Sequence, residues 1–132
     1  MEFLIGELYS RTTIHEALGG GEPRTYLPQH DGRILAGCFG RKRNPGAPEE
    51  IQVGKGPQNV KKAELLAQLP EQRIPVFVKR PEVKDTDRVW QYFGVYRFKE
   101  LLDDPRVLRE AEDESGRHGE LTYVLRLEPV SE

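Results

Sequence analysis

Residues 74–99 read IPVFVKR, PEVKDTD, RVWQYFGVYRFK, and the fold turns on this stretch. Its outer parts are dense in β-branched and aromatic residues, which suit a pleated surface better than a helix. We read two strands, 74–80 and 88–99, around a charged loop. The second carries the chain's single tryptophan, and the whole stretch holds Phe77, Phe93 and Phe98 of the five phenylalanines. Strict alternation along a strand puts Trp90, Tyr92, Tyr96 and Phe98 on one face, with Gly94 as a gap between them. Val89, Phe93 and Val95 take the other face. Both faces are apolar. The strand is therefore covered on both sides, or covered on one and used for binding on the other. Trp90, Tyr92 and Tyr96 can be core, and equally can be a stacking surface where Gly94 admits a flat ligand.

Moving toward the N-terminus, residues 60–69 place Val60, Ala63, Leu66 and Leu69 along one side of a helix that Pro70 ends. Before it, Gly54-Lys55-Gly56-Pro57 joins a short strand, 51–53, to that helix. This resembles a phosphate cradle, but glycine follows Lys55 where a Walker loop needs Ser or Thr. A weaker expectation remains: free amides at the helix start, with Lys55, Lys61 and Lys62, meeting one backbone phosphate. A plain loop beside a solvated basic helix explains the same residues. Residues 40–50 form a loop, because their prolines and Asn-Pro-Gly exclude regular structure. Arg41, Lys42 and Arg43 make it the strongest electrostatic feature of the chain. Lys79 and Arg80 would add to it if the fold brings them together.

Residues 33–39 read as a strand, preceded by the turn pair Asp31-Gly32. Arg11–Leu18 is expected to be a helix, with Ser10 or Thr13 as its cap and the glycines at 19–21 as its stop. On the C-terminal side, Asp103 or Asp104 caps a helix with Pro105 in first position, running to about Asp113. A last strand, 120–128, alternates Leu121, Tyr123, Leu125 and Leu127 against Thr122, Arg126 and Glu128, which implies one wet face. The expected fold is α+β: a small, twisted, mostly antiparallel β pseudo-barrel with about three short helices. We expect one domain over 1–132, with an acidic helix and strand at 103–128.

Composition narrows the function. The net charge of −2 conceals a balance of +6 over residues 33–80 and −6 over residues 100–132. Such asymmetry marks a nucleic-acid face on a nearly neutral protein, or a basic half packed beside an acidic tail. One cysteine, Cys38, allows no internal disulfide, and a cytoplasmic setting is expected. Neither a membrane span nor a signal-peptide pattern is present in the sequence. His15, His30 and His118 have no metal-ligand spacing, and no G-x-S-x-G exists. Glu82-Val83-Lys84 matches a Glu-x-Lys nuclease element, but in a proline-bounded loop rather than on a rigid element. No cofactor is expected.

The order of these pieces resembles the PUA-like superfamily of small β-barrels. The likeness rests on SRTTIHEALGG, LPQHDGRILAGCF, the Asn-Pro-x-Ala-Pro loop, IPVFVKR and WQYFGVYRF. The aromatic strand is most similar to bacterial domains that accompany HNH-type nucleases, and through them to SET-and-RING-associated and EVE-type readers of modified bases. The resemblance implies a non-catalytic module for DNA or RNA that accommodates a modified or flipped base, with a separate nuclease or modification enzyme as companion. Arg11, Asn44, Lys79, Trp90, Tyr92 and Tyr96 are the positions it covers. The expected base pocket is then Trp90, Tyr92 and Tyr96, with Arg11, Asn44 and Tyr26 around it. Phosphates would fall to Arg41, Lys42, Arg43, Lys55, Lys61, Lys62, Lys79 and Arg80. The alternatives are a protein-interaction module with a buried aromatic strand, and a small metal-dependent nuclease using Glu82 and Lys84.

Overall fold

A computed structural model describes residues 2–80 and 88–131. The expected Glu82–Lys84 element lies outside the described residues. The elements run β1 (Leu8–Tyr9), α1 (Arg11–Leu18), β2 (Gln29–His30), β3 (Arg33–Ile34), β4 (Gly37–Gly40), β5 (Glu50–Gly54), α2 (Pro57–Ala67), β6 (Arg73–Lys79), β7 (Trp90–Leu102), α3 (Pro105–Ser115) and β8 (Leu121–Pro129).

Local sequence explains the boundaries. Ser10 caps α1 by accepting from the Thr13 N–H, and Gly19 closes it in the left-handed region at φ 77°. Asp104 caps α3 by accepting from the Arg106 and Val107 amides, with Pro105 at its start and left-handed Gly116 at its end. Asp31 and Gly32 both take positive φ, 50° and 75°, which is the geometry of a two-residue hairpin turn between β2 and β3. The single strand expected over 33–39 is divided between β3 and β4, and only β4 joins the main sheet.

That sheet has the order β4-β6-β7-β8-β5, with β1 added along β7. It is mixed rather than wholly antiparallel, since β4 lies parallel to β6. Among the described residues no strand pairing closes it into a barrel. Instead the two edges are masked by other segments. Along β4, the Cys38 amide donates to the Tyr26 carbonyl at 2.8 Å. Along β5, the Gln52 amide donates to Asn44 Oδ1 at 2.8 Å. The C-terminal acidic segment is no appendage, because β8 lies inside the sheet between β7 and β5.

Bulges determine which side chains go where. On β7, Val76 pairs with Gly94 but Phe77 pairs with Tyr92, so Phe93 is an extra residue. Side-chain phase inverts across it. Tyr92 therefore packs with Ile14, Ala36, Cys38 and Phe77. Tyr96 packs on the opposite face with Ile74, Val76, Phe39 and Leu125, in the main core beneath Ala63 and Leu66 of α2. The expectation that Trp90, Tyr92 and Tyr96 share a face is thus overturned by one residue of irregularity. β8 repeats the device. Val53 pairs with Tyr123 and Gly54 with Leu121, which leaves Thr122 extra. Leu121 consequently joins Val124 and Ala111 under α3, away from Leu125 and Leu127. The alternation expected for the last strand holds only beyond that point.

Candidate functional site: an arginine cleft at the open seam

Tyr92 and Tyr96 are 8% and 6% exposed, so neither offers a ring to a ligand. Trp90 is half-buried, and the Arg11 guanidinium covers its ring at 4.9 Å from the centroid. Arg11 is also spent on structure. Its Nε donates to His15 Nε2, and its Nη2 donates to the carbonyls of Glu22 and Thr25. Burial lowers its pKa. Burial likewise pushes the Cys38 thiol up to about 12, with Arg11 opposing, which disfavours its thiolate. The expected base pocket is not assembled from these groups.

The predicted phosphate ligands separate into distinct groups. Gly40 lies opposite Lys79, and Lys79 lies opposite Trp90, so residues 41–43 and 79–80 leave the sheet at the same end. Arg41 stacks on Phe93 at 5.5 Å. Arg41, Lys42, Arg43, Lys55, Lys61 and Lys79 are exposed. Arg80 is half-buried and donates to Gln91 Oε1 at 2.6 Å. Lys62 is the exception and a correction: it is 5% exposed. Its Nζ donates to Glu22 Oε2 at 2.7 Å, the Leu27 carbonyl at 3.1 Å and Gln29 Oε1 at 3.2 Å. The turn of α2 that carries it faces residues 22–29 rather than solvent. Lys62 and Arg11 therefore tie down one loop from two sides.

That loop forms one wall of a cleft of about 200 Å³. Arg24, Thr25 and Tyr26 line it on one side, and Gln52, Val53 and Gly54 of β5 on the other. Arg43, Asn44, Asn59 and Arg117 complete it. Since residues 24–26 border the β4 edge and β5 is the opposite edge, the cleft occupies the seam where the sheet fails to close. Among the described residues three guanidiniums line it and no carboxylate does. Arg117 is held in place: its side chain is 15% exposed, with Nε 3.8 Å from Glu120. Gly54 makes room for it, because a Cβ there would sit 3.1 Å from Arg117 Nη2. Arg24 and Arg43 are exposed, with no ion pair to either among the described residues. The cleft also lies at the start of α2, where the capping residue Gly56 provides no side-chain hydrogen bond. The positive end of that helix adds to the guanidinium charge.

The neutral wall groups are rigid. Asn44 is 7% exposed, accepts the Gln52 amide and donates from Nδ2 to the Gly40 carbonyl. The Gln52 side chain donates to the Ala111 carbonyl and accepts from Ser115. Tyr26 donates its hydroxyl to the Asn59 carbonyl, and burial raises its pKa, so it stays neutral. Of the predicted site, Tyr26, Asn44 and Arg43 are brought together here. Arg24, Arg117 and Asn59 were not anticipated. The two arginines' sequence signal is arginine in a Pro- or Gly-flanked turn, which is common and carries little information alone, and Asn59 has none. Among the described residues no group of three or more His, Cys, Asp or Glu is placed to hold a metal, and no helix is long and apolar enough to cross a membrane. Comparison of the chain with protein-family models, curated proteins and solved structures finds no match.

Proposed function

We propose that this chain is a non-catalytic nucleic-acid-binding module, built on a PUA-like pseudo-barrel whose open seam receives the phosphate backbone. The observation that carries this reading is the convergence of Arg24, Arg43 and Arg117 on one cleft, with no carboxylate in its lining among the described residues. Arginine forks match phosphate oxygens in pairs, and a concave wall of low polarizability strengthens the attraction. Arg41, Lys42 and Lys79, exposed at one end of the sheet, extend the positive surface for the strand beyond the cleft. The divided ring row supplies no base pocket, so the reading is one of backbone affinity rather than base choice.

The test is anisotropy of labelled single- and double-stranded DNA and RNA across a potassium chloride series. Three neutralised phosphates on a single strand imply a loss of about twenty-fold in affinity from 50 to 200 mM salt. Affinity that does not change across this range overturns the reading.

A further inference from the structure

We propose that the arginine cleft receives a terminal phosphomonoester, the phosphorylated end of a nucleic-acid strand, in preference to an internal phosphodiester. This rests on the nucleic-acid reading above and specifies what its central site takes. Size is the first argument. At about 200 Å³ the cleft is smaller than the roughly 300–1,000 Å³ of sites that enclose a drug-sized molecule. It admits a phosphate with part of its sugar, not a run of nucleotides.

Charge is the second. A phosphodiester carries one negative charge, whereas a phosphomonoester carries about 1.5 to 2 at neutral pH, its second pKa being near 6. Three guanidiniums around one small recess match the larger charge. Arg117, largely buried and with its nearest carboxylate at 3.8 Å, is the most desolvated of them. A monoester also presents three terminal oxygens, enough for more than one guanidinium fork.

The neutral lining is the third argument. Thr25 Oγ1 is buried out of reach of a ligand in the cleft. The Asn44 amide is committed to the Gln52 backbone N–H and the Gly40 carbonyl, and the Gln52 amide to Ala111 and Ser115 of α3. They leave no fork to read a base edge. The charged groups described in the lining are all guanidiniums, so the cleft selects on the phosphate group.

The experiment compares one oligonucleotide sequence, labelled internally, with 5′-phosphate, 3′-phosphate or hydroxyl-only ends, and adds a nucleoside monophosphate and inorganic phosphate as competitors. One phosphorylated end is expected to bind at least about tenfold more tightly than the hydroxyl form. The preference should shrink as pH falls from 7.5 to 5.5, when the monoester takes up its second proton. Arg117→Gln, and independently the exposed Arg43→Gln, should reduce the ratio toward one, with circular dichroism confirming the fold. Equal binding of phosphorylated and hydroxyl ends overturns the end preference while leaving nucleic-acid binding intact. Binding of the nucleoside monophosphate without any oligonucleotide keeps the phosphomonoester site and overturns its strand-end source. Failure of every probe at low salt overturns both readings.

Discussion

Replacing Lys62 with methionine separates a structural lysine from a phosphate ligand. The substitution keeps most of the apolar stem and removes one ammonium whose three acceptors are Glu22, the Leu27 carbonyl and Gln29. Glu22 is 51% exposed at its side chain and rehydrates, so its share is under about 1 kcal/mol. The carbonyl of fully buried Leu27 loses its charged donor, which costs about 1–3 kcal/mol. Gln29 adds roughly 0.5 kcal/mol, and the buried methionine returns part of the sum. The net loss is about 2–3 kcal/mol, or about 10 °C in Tm for a chain of this size. The assay is urea unfolding followed by circular dichroism between pH 2 and 7. The pH dependence gives an independent sign. Partial burial works to raise the Glu22 pKa, but hydrogen bonds from Lys62 and the Gln29 amide outweigh it and hold it at about 2, below its ordinary 4.5. A depressed carboxyl stabilises the fold fully above its unfolded pKa, and that contribution is lost as pH falls from about 4.5 through about 2. Lys62→Met should lack most of this acid-linked loss. A variant as stable as the parent, but impaired in oligonucleotide binding, would refute the structural assignment and restore Lys62 as a ligand.

Arg24→Gln and Arg43→Gln should each weaken oligonucleotide binding about five- to tenfold and lower the salt slope by about one, with unfolding midpoints unchanged. Arg11→Met should cost about 1–2 kcal/mol and shift Trp90 emission to the red, since it removes the guanidinium over the indole and the bonds to residues 22–25. Oligonucleotide binding to the parent protein should leave Trp90 emission unchanged, because Trp90 does not line the cleft. Gly94→Val should lower the unfolding free energy by about 2 kcal/mol or more, measured by urea midpoint, because φ is 113° there and a β-branched residue is strained in that region.

Much of the secondary structure was readable because its signals are local. Ser10, Gly19, Asp104, Pro105 and the Asp31-Gly32 pair act within a few residues of themselves, and each does what its chemistry dictates. Facing was less readable. Alternation predicts a side chain's face only while pairing stays regular, and Phe93, Lys99 and Thr122 each break it. A bulge depends on how two distant strands match in length, which no window of sequence contains. Lys62 was misread for a related reason: α2 periodicity marks Ala63 and Leu66 as inward, but says nothing of residues 22–29 arriving to cover the adjoining position. The cleft gathers residues from five separate parts of the chain. Only the basic tip at 41–43 was dense enough in charge to stand out beforehand.

Asn44 has a second consequence, for how copies of the protein meet. A bare strand margin with a free N–H invites another chain to dock and extend the ladder. At Gln52 that donor is already occupied by an amide side chain of the same molecule, held rigid by its bond to Gly40. Another copy's strand approaching this gap meets a margin whose Gln52 donor is already taken.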